Sequence, residues 1–346
     1  MAAEIGTQAG SRRFAHLSNP DPSWQKVAAK QQSLEKLADG LYCLPMTEFR
    51  KVAYGPPPLP ANAPVIGTDI TVEQAEISVR DGARIGLRVY RPIEDGSNRL
   101  LFFNIHGGAG WTFGTPDAEE AQNRLVAAKN KAVVVSVDYR RAPEHPFPYA
   151  LHDAQDAFFW CKENCQSLDI DPEKIMIGGG SAGANAAVLA HMARDEGTTG
   201  IIGQILNIPV TCHPDHFPAS KHKYHSFEQN AHAPIVNASH MRMFWHNYLP
   251  KADSNPLVSP LLAQSFAGLP PALVQVAGMD PLRDEGLAYV QKLKAGGVDV
   301  TVKIYEGLPH AFYIYPDLPP SGQYFQTMVD WIEHLLSNSN SNSVTG

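Results

Sequence analysis

Ser181 lies in the stretch KIMIGGGSAGANAAVLA, Lys174 to Ala190, where a β-branched run enters an alanine-rich helical run through a turn crowded with glycine. Two motifs with incompatible chemistry overlap there. Gly178, Gly180 and Gly183 spell G-x-G-x-x-G, which lets a backbone approach a pyrophosphate. Gly179, Ser181 and Gly183 spell G-x-S-x-G, which exposes a nucleophilic hydroxyl on a sharp strand-to-helix turn. The dinucleotide reading asks for the first strand–helix unit and for an acid about 20 residues on, at the end of the next strand. Here the motif is mid-chain, and the next strand, IIGQILNIPV, ends without Asp or Glu. A phosphate loop of the Gly-Lys-Ser/Thr kind is excluded too, because the turn has no lysine. The glycines fit a nucleophile turn better.

A serine hydroxyl attacks a carbonyl only when a base takes its proton, a carboxylate orients that base, and fixed N–H groups hold the developing oxyanion. FFNIHGGAGW offers the backbone amides of Gly107 and Gly108 after a strand. The amide of Ala182 offers a third donor at a helix N-terminus. If the sheet is of the α/β-hydrolase type, acid and base follow the nucleophile in chain order. ALVQVAGMDPLRDEG then supplies Asp280 and KIYEGLPHAFY supplies His310, each just past a strand. Taken singly these are a glycine-rich loop, a helix N-cap and a loop histidine. Their ordered occurrence on strand ends is what points to one site.

Positioning them requires a sheet. Short β-rich runs occur at QAEISVR, RIGLRVYRP, RLLFFNIHGG, AVVVSVDYR, KIMIGGG, IIGQILNIPV, ALVQVAG and VDVTVKIYEG. Helical patterns are expected in SWQKVAAKQQSLEKLADG, near 117–130, in PYALHDAQDAFFWCKENC, and near 182–196, 284–296 and 322–337. Leu151, Ala154, Phe158, Cys161 and Cys165 recur on one apolar face of the third of these. The alternation predicts an α/β fold with a mostly parallel eight-stranded sheet, antiparallel at its start and covered by helices on both faces. Residues 1–60 read as an N-terminal cap element and a proline-rich linker, and 61–346 as the main domain. Within it, about 211–256 lacks a strand pattern but is rich in His, Pro and aromatics, and is expected to be a helical cap over the carboxyl edge of the sheet. Trp111 beside the oxyanion loop and the cap residues Phe217, Tyr224, Phe244 and Trp245 are candidate substrate contacts. SNSNSNSVTG reads as a frayed tail.

With 346 residues, 28 basic against 35 acidic side chains and a net charge of -7, the chain has no electrostatic footprint for nucleic acid. It shows no signal segment and no apolar run of spanning length, so a cytoplasmic location away from the membrane is the default expectation. The four cysteines read as reduced core thiols. The cap histidines His213, His216, His222 and His225 lack companion carboxylates or thiolates, so no metal is expected, and no other cofactor. The expected partner is a small-molecule ester or lactone, bound by a monomer or homodimer.

The stretches HGGAGW, DYRRAPEHPFPYALHDA, GGGSAGANAA, NPLVSPLLA, DPLRDEG and GLPHAF, running from about residue 100 to 312, resemble the hormone-sensitive-lipase-like family of α/β-hydrolases. That resemblance implies a Ser181, Asp280, His310 triad, an oxyanion hole from Gly107, Gly108 and Ala182, and a cap built from the N-terminus and the 211–256 insertion. Two positions depart from the family pattern: Ala109 stands where HGGG has its last glycine, and Gly180 stands where GDSAGG has its acid. His106 is expected to brace the loop, and Arg140 and Glu144 to form a polar brace. The implied activity is that of a serine carboxylesterase acting on short- to medium-chain esters or lactones. An acyl-processing enzyme of natural-product biosynthesis, whether lactone hydrolase, acyltransferase or cyclase, would use the same nucleophile. A non-enzymatic receptor on this fold would lack the histidine base, and His310 is present.

Overall fold

The computed structural model describes residues 13–38, 41, 44–53, 55, 57–109, 111–218 and 225–343, with side chains through 338. Eight strands form one sheet: β1 (Ile70–Ser78), β2 (Arg84–Pro92), β3 (Arg99–Ile105), β4 (Val133–Asp138), β5 (Ile170–Gly180), β6 (Ile201–Asn207), β7 (Ala272–Met279) and β8 (Val300–Pro309). Their spatial order is β1-β2-β4-β3-β5-β6-β7-β8. The β1/β2 and β2/β4 pairs are antiparallel and every later pair is parallel.

Runs such as VVVSVD in β4 are apolar almost throughout because both faces of the sheet are covered. Alternate side chains go to opposite layers. Leu101, Phe103, Val135 and Ile177 pack on Ala154 and Phe158 of α4 (Tyr149–Glu163) and Ala187 of α6 (Asn185–Asp195). Phe102, Val134, Met176 and Ile205 pack on Val126 of α3 (Glu120–Lys129) and on Met328 and Ile332 of α10 (Pro319–Ser343). The helix α9 (Arg283–Ala295) lies between β7 and β8 in the chain.

The 211–256 segment between β6 and β7 carries two helices, α7 (Ser226–Gln229) and α8 (Ala238–Tyr248). The N-terminal part supplies α1 (Gln25–Ala38), in the expected stretch, and α2 (Met46–Ala53), which the sequence reading did not mark. The two parts touch: Gln229 donates to the Ala15 carbonyl at 2.8 Å and Glu35 accepts the Ile235 amide at 2.8 Å. The N-terminal segment is also pinned to the sheet, where the Asp21 amide donates to the Gly307 carbonyl at 3.1 Å.

Three local expectations are corrected. Cys165 is not on α4, which ends at Glu163; it opens a separate turn, α5 (Cys165–Leu168), and is only half-buried. The Ser/Asn tract does not end the last helix, because α10 continues through Ser343. Arg140 and Glu144 brace the molecule separately: Arg140 pairs with buried Asp153 at 2.7 Å and with Asp81 at 2.6 Å, and Glu144 pairs with Arg50 of α2. Cys161 and Cys212 are free and buried, and Cys43 lies outside the described residues. Among the described residues no helix is long and apolar enough to cross a membrane.

Candidate active site

Four strands stop one residue short of a chemically active side chain. β3 ends before His106, β5 before Ser181, β7 before Asp280 and β8 before His310. These strands run parallel, so their carboxyl ends deliver all four residues to one edge of the sheet.

Ser181 has φ +54°, a left-handed conformation that a non-glycine residue adopts only under constraint. The constraint is close backbone approach. A Cβ at Gly179 or Gly183 would fall inside contact distance of the Ile105 carbonyl oxygen, so both flanking positions must be glycine for β5 to turn into α6 beside β3. The turn aims the Ser181 hydroxyl at His310, whose Nε2 is 3.0 Å from Oγ. The other ring nitrogen, Nδ1, is 2.7 Å from Asp280 Oδ2. An ionised carboxylate only accepts, so Nδ1 carries the proton and Nε2 is left to accept from the serine. Asp280 is itself fixed, because its Oδ1 accepts the Leu282 amide at 2.8 Å and its carbonyl accepts Asn230 Nδ2 from the cap at 3.0 Å. All three side chains are buried. The array can move a proton from Ser181 to His310 and hold the imidazolium that results.

The oxyanion loop differs in detail from the expected one. The Gly107 amide already donates to Glu119 Oε1 at 3.3 Å, which removes it from the set of free donors. Gly108 and Ala109 follow with φ +132° and +43°, so Ala109 takes the left-handed conformation despite its methyl group. Among the described residues no acceptor takes the amides of Gly108 or Ala109. Ala182 stands in the first turn of its helix, where an amide lacks an intrahelical partner. His106 braces the loop: its Nδ1 meets the Gly107 carbonyl at 2.8 Å and its ring stacks on Tyr139 at 4.3 Å. Burial pushes the His106 pKa down to about 3, so the ring is neutral.

A cavity of about 250 Å³ opens over Ser181 and His310. Its walls are mostly apolar, from Phe49 of α2, Phe113, Val236, Met241 and Phe244 of the cap, and Ile314. Glu119 and Tyr313 are its polar wall groups beside the loop. Of the expected substrate contacts among the described residues, only Phe244 is brought to this cavity. Trp111 is turned inward with φ +66° and stacks on Tyr248 at 3.9 Å, under α8. Trp245 packs beside it at 4.8 Å and lines a separate recess with His213 and Arg242. Phe217 is buried in the main core, and Tyr224 lies outside the described residues. The aromatic supply of the cap mostly anchors it, because large rings under a helix gain most by packing against one another. His213 Nδ1 accepts the Asp215 amide at 3.2 Å.

Sequence reasoning passed over several residues that hold this site. In DPLRDEG, Asp284 accepts the His225 and Ser226 amides at 2.9 Å and Glu285 accepts the Thr211 amide at 2.7 Å, so one motif ties the cap insertion down at two places. Arg283 is buried and binds Ser18, the Gly278 carbonyl and Gln229. Glu119 carried no signal beyond that of a helix start.

A family model described as alpha/beta hydrolase fold matches residues 102–314. The carboxylic ester hydrolase LipN of Mycobacterium tuberculosis is 38% identical over 256 residues, covering 71% of this chain and 66% of that protein. An ester hydrolase from the metagenome of Lake Arreo, solved with a bipyridine phosphonate derivative, superposes with a TM-score of 0.80 at 30% identity, over 93% of this chain and 99% of that one. Vibralactone cyclase superposes with a TM-score of 0.79 at 27% identity, over 97% and 99%. With the strand order, the nucleophile turn and the cap in place, the chain belongs to the α/β-hydrolases, in the carboxylesterase branch that resembles hormone-sensitive lipase.

Proposed function

We propose that this protein is a serine carboxylesterase that works without a cofactor through an acyl-enzyme on Ser181. The observation that carries the reading is the unbroken hydrogen-bonded chain from Ser181 through His310 to Asp280 at the floor of an apolar cavity. Ser181 Oγ attacks the ester carbonyl carbon as its proton passes to His310 Nε2, and the carbonyl electron pair moves onto oxygen. The amides of Gly108, Ala109 and Ala182 are the donors offered to that oxyanion. Collapse expels the alkoxide, which takes the proton from Nε2. Water then gives a proton to Nε2 and attacks the acyl carbon, and Oγ leaves and recovers its proton.

The cavity volume supports a short- to medium-chain acyl ester or lactone. The expected experiment is a panel of p-nitrophenyl esters of increasing chain length with wild type and Ser181→Ala. Turnover should peak at short or medium chains and vanish in the variant with unchanged circular dichroism. Near-wild-type turnover by folded Ser181→Ala would overturn the assignment.

The similarity to vibralactone cyclase over nearly the whole chain supports a second reading, in which an alcohol or the substrate's own hydroxyl resolves the acyl-enzyme. Turnover in ¹⁸O-water separates the two: hydrolysis places the label in the released acid, whereas transfer or cyclisation does not.

A further inference from the structure

Glu119 is a buried carboxylate that the triad does not use. Its Oε1 accepts the Gly107 amide at 3.3 Å and lies against Gly180, and its Oε2 accepts Gln122 Nε2 at 3.1 Å. Among the described residues no Lys, Arg or His forms an ion pair with it. A buried carboxylate with amide donors and no cation is costly to keep, so its place needs a reason.

The reason lies in what Gly107 and Gly180 flank. Gly107 is gripped on both sides, its N–H by Glu119 and its carbonyl by His106 Nδ1 at 2.8 Å. The Gly107 carbonyl and the Gly108 amide belong to one planar trans peptide and point in opposite directions. Fixing Gly107 therefore aims the Gly108 N–H, an oxyanion donor. Gly180 directly precedes Ser181, so the carboxylate packed against it bears on the approach to the nucleophile. Space is matched as well, because a Cβ on Gly180 would stand 2.5 Å from Glu119 Oε1. Behind Glu119, Gln122 bonds Asn104 and Asn207, and Asn207 bonds Gln275, so the carboxylate rests on a buried amide ladder crossing the sheet.

We propose that Glu119 is a positioning residue of the esterase site, holding the oxyanion loop by the Gly107 amide and bearing on the nucleophile turn by its packing against Gly180. The proposal rests on the esterase reading of Ser181. Glu119 acts through the two glycines it touches, and Gly180 is required because the carboxylate occupies the room a side chain would take. Burial raises the Glu119 carboxyl pKa and its hydrogen bonds oppose that shift, so the clamp depends on those donors.

Four proteins test it: wild type, Glu119→Gln, Glu119→Ala and the double variant Glu119→Ala/Gly180→Asp, which returns a carboxylate to the same space from the other side. With p-nitrophenyl butyrate, Glu119→Ala should lose kcat by about 10²-fold, with KM changed little. Glu119→Gln, which keeps one acceptor oxygen, should fall between, and the double variant should recover part of the loss. Equal kcat in folded Glu119→Ala, or in folded Glu119→Gln if the alanine variant does not fold, overturns the proposal. A second readout does not need turnover. In ¹⁵N-labelled protein the Gly107 amide resonance should shift in Glu119→Gln and exchange faster, and an unmoved resonance overturns the clamp. Absent esterase activity in wild type would instead sink the reading of Ser181 and leave the Gly107 amide resonance to decide on Glu119.

Discussion

Arg50 and Glu144, 94 residues apart in the chain, meet in a bidentate ion pair with both N–O distances at 2.8 Å. The same guanidinium donates through Nε to the Thr112 carbonyl and through Nη2 to that of Ala142. One arginine on the N-terminal helix α2 therefore holds the segment that follows the oxyanion loop. Its neighbour Phe49 packs on Phe113 at 5.4 Å, and both rings line the cavity. The N-terminal segment is thus part of the wall that meets substrate, and the planar fork of an arginine is what lets it grip a carboxylate and two carbonyls at once.

Replacing Arg50 with Ala should loosen that wall while leaving the triad intact. Hydrogen bonds to charged groups contribute about 1.5–3 kcal/mol, and the pair is partly solvent-screened. The expected result is a rise in KM of several-fold, a smaller fall in kcat, and a melting temperature lowered by a few degrees. Glu144→Gln should show the same pattern more weakly, since it keeps the arginine's carbonyl contacts. Steady-state kinetics with thermal melts check this. A pure kcat effect with KM unchanged would place Arg50 outside the substrate wall.

Asp280→Asn tests the orientation of the base. The asparagine can still accept the Leu282 amide through one atom, so the loop should hold. Facing His310 Nδ1 it no longer requires a proton on that nitrogen, and the imidazole is free to present the wrong tautomer to Ser181. A fall in kcat on the order of 10⁴ is expected, with KM and the far-ultraviolet spectrum near wild type. Loss of less than tenfold would mean that another group orients the histidine.

The sequence made the reacting residues readable because each sits at a fixed offset from a strand end, and strand ends follow from local apolar patterning. Ser181, Asp280 and His310 are all of this kind. It left Glu119 and Arg50 unread because their partners lie on other elements, and a glutamate at a helix start or an arginine on a short helix has an ordinary local explanation. The engagement of the Gly107 amide is hidden for the same reason, since its acceptor is the side chain of Glu119, the residue that precedes α3. The aromatic residues Trp111 and Trp245 were read by type, but type does not set direction. A positive φ at Trp111 turns its ring into the Tyr248 stack instead of the cavity.

The buried imidazole of His191 predicts a pH dependence of stability. Its Nε2 meets the Tyr289 hydroxyl at 3.1 Å, and burial pushes its pKa down from the usual 6.5 to about 4. A depressed histidine binds its proton more tightly in the unfolded chain, so stability rises with pH across the window from about 4 to 6.5 and is flat above it. The slope for one such group is about 1.4 kcal/mol per pH unit. His191→Gln, which can still meet the tyrosine, should flatten the wild-type curve by that slope between pH 4.5 and 6.5. Denaturant melts at stepped pH check this, and parallel curves for the two proteins would show that His191 does not titrate as its burial requires.

Acyl-chain preference should follow the residues that reach the cavity and ignore the aromatic residues that do not. Met241 and Phe244 reach it from α8. Trp245 is their neighbour on the same helix but packs against Trp111 and faces the other recess. Met241→Ala would add space at the wall at a cost of about 2–5 kcal/mol in stability, and Phe244→Leu is a gentler enlargement. Both should move the optimum of a p-nitrophenyl ester series toward longer acyl chains by one or two carbons or more. Trp245→Phe should lower the melting temperature through lost packing and leave the optimum in place. The comparison separates size selection from general loosening, because a cap that merely became mobile would broaden the preference in all three variants. An optimum that stays fixed in folded Met241→Ala and Phe244→Leu would move the determinant of chain length to the other lining residues, Phe49, Phe113 and Ile314.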